Sequence, residues 1–172
     1  MSSKVRPAPL THLVRRFFVT LLARVDPVNL PALDAVLSSA ERRLFLTMTE
    51  PDQQHSLHLY ARLRRDGYTD RDLLGAALLH DVGKGSGRLP ILYRVAYTLS
   101  AMISQNLTRW LGRPDPSAWR RPFFLAAHHP EIGAAAAARA GSSPRLVALI
   151  ADHSRPGADE LSRALYTYDR QM

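Results

Sequence analysis

A histidine and an aspartate, His80-Asp81, close the apolar run Leu73, Leu74, Ala76, Ala77, Leu78, Leu79 and lead directly into Val82-Gly83-Lys84-Gly85. The pattern asks for leucine at these two positions, and both side chains are costly to remove from water unless hydrogen-bonded or bound to a cation. A metal ion accounts for both at once. Imidazole nitrogen with carboxylate oxygen suits Mn, Fe, Co, Ni or Mg, so the pair does not choose the ion; it requires further ligands elsewhere in the chain.

Those ligands are available at helical positions. His55 opens the run Leu57, Leu59, Tyr60, Leu63, whose spacing is that of a helix with one apolar face, 25 residues before His80. His129 lies 48 residues after Asp81 in His128-His129-Pro130-Glu131, where the proline reads as the first turn of a new helix that displays His129 at its start. Asp152-His153 closes the segment from Pro144 to Ala151, and Asp169 lies on the last helical stretch.

The set resembles the HD-domain superfamily of metal-dependent phosphohydrolases, in which a first His, a His-Asp pair and a distant Asp lie on helices. Leu78-Leu79-His80-Asp81-Val82-Gly83-Lys84 has the form of the central motif, and His129-Pro130-Glu131-Ile132-Gly133-Ala134 looks like a segment of the branch that includes the HD-GYP phosphodiesterases. The GYP signature is missing, with Ser154-Arg155-Pro156-Gly157 in its place. The similarity spans roughly residues 50 to 172.

The resemblance implies that His55, His80, Asp81 and Asp169 are the core metal ligands and that His129 and His153 hold a second ion. Asp152 stands where relatives place a histidine. With one or two divalent ions bound, Asp81 would bridge them and a metal-activated hydroxide would attack a phosphate ester or phosphodiester of a nucleotide-type substrate. Lys84, three residues after Asp81 and one of two lysines beside 21 arginines, would contact substrate phosphate. Asp81 and Lys84 are thus the expected catalytic residues. Glu131 reads as a first-turn acid, His58 and His128 as rim residues, and His12 as ordinary. The rival reading is a catalytically silent regulatory module of the same fold that binds a nucleotide or partner protein.

Composition bounds these readings. The chain has 172 residues, 46% of them apolar, enough for one domain with a real core. It has no cysteine, so disulfide frameworks and thiolate metal sites fall away, and a cytoplasmic location is expected. A net charge of +8 would attract anionic, phosphorylated small molecules. The arginines look scattered, without the aromatic interleaving of single-strand binders, so nucleic acid is not the expected partner.

The elements that must position the ligands are all helical, because no alternating strand pattern of useful length occurs. We expect an all-α fold: a tail over 1–9, an N-terminal helical extension over 10–49 packed on the domain, and the helical bundle over 50–172. Within 10–49 the patterns give helices at 10–25 and Leu33 to Met48. The first mimics a signal peptide poorly and reads either as an amphipathic helix docked on the domain or as a peripheral membrane contact. Thereafter Gly67 stops the His55 helix, and Thr69 caps the helix ending at His80-Asp81. Helices follow at Leu89 to Trp110, Trp119 to Ala127, Pro130 to Ala140, Pro144 to Ala151 and Ala158 to Arg170.

Overall fold

The computed structural model describes residues 31–85, 93, 96–97, 99–100, 103–114 and 119–172; the expected tail, the helix at 10–25 with His12, and the loop from Gly85 to Leu89 beyond its first residue lie outside them. Every regular element among the described residues is a helix. In chain order these are α1 Pro31–Asp34, α2 Ser39–Phe45, α3 Glu50–Arg65, α4 Arg71–Leu79, α5 Val82–Gly85, α6 Gln105–Leu111, α7 Arg121–Arg139, α8 Pro144–Asp152 and α9 Glu160–Arg170.

Helix α4 is the centre. Leu73 through Leu79 are all buried, so α4 is covered on every side and its period shows no polar stripe. It packs against α2, α3, α8 and α9, while α7 packs against α5 and α8. Gly75 permits the closest of these approaches: a Cβ there would lie 2.6 Å from Leu146 Cδ1 of α8. Leu33, Val36, Leu37, Phe45 and Met48 belong to the same core as Leu59, Leu78, Ile150 and Leu165.

Several element boundaries differ from the sequence expectation, each for a local reason. The stretch from Leu33 to Met48 is two short helices, because Ser38 adopts an extended conformation (ψ 165°) and caps α2 in a reciprocal box with Glu41. The cap of α4 is Asp70 rather than Thr69; its carboxylate accepts from Leu73 N–H at 2.8 Å. The expected helix from Leu89 to Trp110 breaks at Ser104, whose extended backbone (φ −162°, ψ 128°) and hydroxyl cap α6. The two helices expected on either side of Pro130 are one, α7, with Pro130 inside it.

Glu41 ties these layers together. Its carboxylate accepts from Ser38 N–H at 2.7 Å and from the Ser142 hydroxyl, beyond the end of α7, at 2.7 Å, and Arg71 of α4 approaches to 3.6 Å. Asp72 likewise accepts from the Ser143 hydroxyl at 2.7 Å, joining the starts of α4 and α8.

A candidate metal centre

Two helices end where they carry a histidine. His80 is the C-cap of α4 and His153 the C-cap of α8, positions at which the last carbonyls of a helix have no N–H of their own to accept from. Each ring uses one. His80 Nδ1–H donates to the Ala77 carbonyl at 3.0 Å, and His153 Nδ1–H to the Ile150 carbonyl at 2.7 Å, each three residues back. A carbonyl only accepts, so Nδ1 must carry the hydrogen, and Nε2 is the nitrogen that presents a lone pair whenever the ring is neutral.

His129 reaches the same state in mid-helix. Pro130 has no N–H to give to the carbonyl four residues back, that of Ala126, and His129 Nδ1–H donates to it at 2.9 Å. The proline that the sequence suggests as a helix start is therefore internal, and it releases the acceptor that orients His129. Its Nε2 points across to α8 rather than out from a helix end.

The three Nε2 atoms converge on two carboxylates, Asp81 at the junction of α4 and α5 and Asp169 on α9. His55, His80 and Asp169 form one trio and Asp81, His129 and His153 a second; within each, the ligand atoms lie within 4.8 Å of one another. His55 Nε2 is 2.8 Å from Asp169 Oδ1, and His80 Nε2 is 3.5 Å from that oxygen and 3.6 Å from Asp81 Oδ1, so the trios abut. His129 Nε2 stands 3.6 Å from Asp81 Oδ1 and 3.2 Å from His153 Nε2. His80, Asp81 and His153 are buried, while His55, His129 and Asp169 are partly covered.

Backbone contact sets the spacing between α5 and α7. A Cβ on Gly83 would fall 2.1 Å from the His129 carbonyl oxygen and 2.8 Å from Gly133 N, so only glycine lets Asp81 and His129 come this close. Lys84, one turn after Asp81, puts its ammonium 2.6 Å from Asp81 Oδ1.

The electrostatics follow from that crowding. Burial would lower the His80 pKa, but the Asp81 and Asp169 carboxylates outweigh it and hold the ring up at about 9. Burial, with Lys84 adding repulsion, pushes His129 down to about 3. Burial, with the His80 charge adding repulsion, pushes His153 down to about 4. Against the cost of its own burial, Asp81 is held well below the usual carboxylate range by Lys84, His80, His129 and His55.

This arrangement fits a cation. His80 Nε2 is buried without a hydrogen-bond partner, and the trio separations are those of atoms around ions with bonds of about 2.0–2.2 Å. The Nδ1–H bonds to carbonyls are the supports that fix a ligating imidazole's tautomer.

The remaining sequence candidates sit elsewhere. Asp152 is exposed and pairs with Arg155 at 2.7 Å. His58 is exposed, with Gln54 at 3.4 Å. His128 Nε2–H donates to the Gly112 carbonyl at 3.1 Å and lines a separate cavity of about 500 Å³ with Tyr97, Thr108, Arg109 and Arg113. Glu131 is exposed on α7. Pro130, expected as a helix start, and Gly83, to which the sequence assigned no role, are positioning residues; a proline directly after a histidine inside a helical period, and a glycine two residues after Asp81, were the available signals. No family model, curated protein or solved structure matches the chain.

Proposed function

We infer that the protein is a metal-dependent phosphohydrolase acting on a phosphate ester or phosphodiester. The observation that carries the reading is the pair of abutting trios, His55, His80, Asp169 and Asp81, His129, His153, whose imidazole Nε2 atoms face carboxylates and one another in a largely buried site. Its sequence pattern, His, His-Asp and a distant Asp, is similar to that of HD-domain phosphohydrolases. Four imidazoles to two carboxylates favour transition ions over Mg.

Bound there, divalent ions lower the pKa of water toward neutrality and offset phosphoryl charge. Asp81, 3.6 Å from both His80 Nε2 and His129 Nε2, would supply the carboxylate of the second trio. His129 and His153, held by Ala126 and Ile150, keep a single ligating nitrogen in place without rotamer search. Lys84 is partly exposed at the edge of the site, where its ammonium, 2.6 Å from Asp81 Oδ1, would be available to an incoming phosphate oxygen.

A panel assay of the metal-loaded protein against mononucleotides, simple phosphodiesters and cyclic dinucleotides tests the reading, with Asp81→Asn as the control. Metal-dependent turnover of at least one class, abolished by the control, is expected. Metal binding without turnover of any class would leave instead a silent regulatory module of the same fold.

A further inference from the structure

The exposed large apolar side chains of the described structure are Leu46, Leu99, Ile103, Leu107, Trp110 and Trp119; all but the first fall in one 21-residue stretch. Leu107 and Trp110 are three apart on α6, and Trp119 is brought against Trp110 with ring centroids 6.1 Å apart. Both indoles are about half exposed, at 44% and 52%, and Ile103, just before the α6 cap, is 76% exposed. The guanidinium of Arg120 lies over the Trp110 ring at 4.5 Å and donates to the Trp110 carbonyl, which fixes the pair of indoles in place.

Charge is concentrated in the same stretch. Of the chain's 23 Lys and Arg and 15 Asp and Glu, seven basic residues and one acid lie between Val82 and Pro130. Arg109, Arg113 and Arg121 are exposed beside the apolar residues, and among the described residues no carboxylate pairs with them. An apolar strip carrying two tryptophans and rimmed by arginines is the composition of a surface that lies in the headgroup region of an anionic bilayer. No described helix is long and apolar enough to cross a membrane.

We propose that the face formed by Leu107, Trp110 and Trp119, flanked by Arg109, Arg113 and Arg121, docks on the surface of an anionic lipid bilayer. The proposal is independent of the metal centre. Apolar burial supplies part of the binding and arginine attraction the rest, so anionic lipid and low salt are both required.

Trp110 and Trp119 are the chain's two tryptophans, so its indole fluorescence reports on this face alone. The full chain is titrated with vesicles of phosphatidylcholine and of phosphatidylcholine mixed with phosphatidylglycerol, in low and high salt, with bilayer depth read by brominated acyl chains. A blue shift and quenching with the anionic vesicles, reversed by salt, is the expected result. In sedimentation, Trp110→Ser with Trp119→Ser should weaken partitioning by about tenfold. Arg113→Glu should weaken it by about fivefold or more. Circular dichroism verifies that the variants remain helical; if they do not, the wild-type fluorescence still decides.

An unshifted spectrum on anionic vesicles overturns the proposal. So does vesicle binding that survives the double substitution, which would place the contact elsewhere, such as the N-terminal segment. A concentration-dependent blue shift without lipid, accompanied by dimer in sedimentation equilibrium, would also overturn it and assign the face to a second copy of the chain.

Discussion

His129 and His153 meet Nε2 to Nε2 at 3.2 Å, and neither has a proton to place between them. Each ring's hydrogen is committed at Nδ1, to Ala126 and Ile150 respectively. Burial together with the neighbouring charges of Lys84 and His80 holds the two pKa values at about 3 and about 4, so a second proton is absent at neutral pH. Two lone pairs held face to face are unfavourable unless a cation lies between them and Asp81.

From that relationship, His153→Ala should lower the bound metal by about one ion per chain, by elemental analysis of the metal-loaded protein, and weaken affinity by ~1–3 kcal/mol or more. His58→Ala, on the exposed side of α3, should leave stoichiometry unchanged. Equal losses at the two positions would mean that the ligand set is wrong.

Pro130→Ala should move fold stability and metal affinity in opposite directions. An alanine restores the N–H that the α7 ladder lacks and removes the interior-proline penalty, raising stability by about 1–3 kcal/mol, offset in part by lost packing at this buried position. The restored N–H competes for the Ala126 carbonyl, and metal affinity should fall by about tenfold as the His129 ring loses its fixed orientation. Thermal unfolding of the metal-free chain and metal titration read the two effects separately. A variant less stable and unchanged in metal affinity would show that Pro130 acts through packing alone.

Gly83→Ala should cost about 3 kcal/mol or more and disrupt the second trio, since the added carbon meets main-chain atoms of α7 that cannot rotate away. Gly67→Ala is the control. Nothing lies within 4 Å of a Cβ there, and the cost is the ~1–2 kcal/mol of its positive φ (95°) without effect on metal binding.

Acid should weaken the fold partly through Glu41. Burial alone would raise its pKa, but bonds from Ser38 and Ser142 and the charge of Arg71 bring it below the ordinary 4.5. A carboxyl depressed in the folded state stabilises above its unfolded pKa, and that stabilisation is lost as pH falls through the folded value. Chemical denaturation of Glu41→Gln and wild type should therefore differ most above pH 4.5, and the difference should shrink below it. A difference that persists undiminished in acid would assign the effect to lost packing rather than charge.

The helical class and the burial of α4 were legible in local sequence chemistry, and the six His and Asp residues that the resemblance singles out do come together as two groups that could hold a metal ion. Seven consecutive apolar or small residues ending in His80-Asp81 can only be a covered helix whose end carries something costly to desolvate. Element boundaries were less so. Ser38 and Ser104 interrupt apolar periods that continue through them, and whether a serine caps or merely sits in a helix depends on the chain around it.

Tertiary structure alone decided the geometry of the site. From sequence Pro130 reads as a helix start; in the structure α7, packed against α5 and α8, runs through it, and the His129 ring takes the freed carbonyl. Likewise Asp152 and His153 are adjacent in sequence, yet the end of α8 turns His153 into the site and leaves Asp152 to Arg155 outside it. Residue type sets which atoms can hold a cation, but ligation depends on distances of a few ångströms between segments up to 114 residues apart, and only the packed helices fix those.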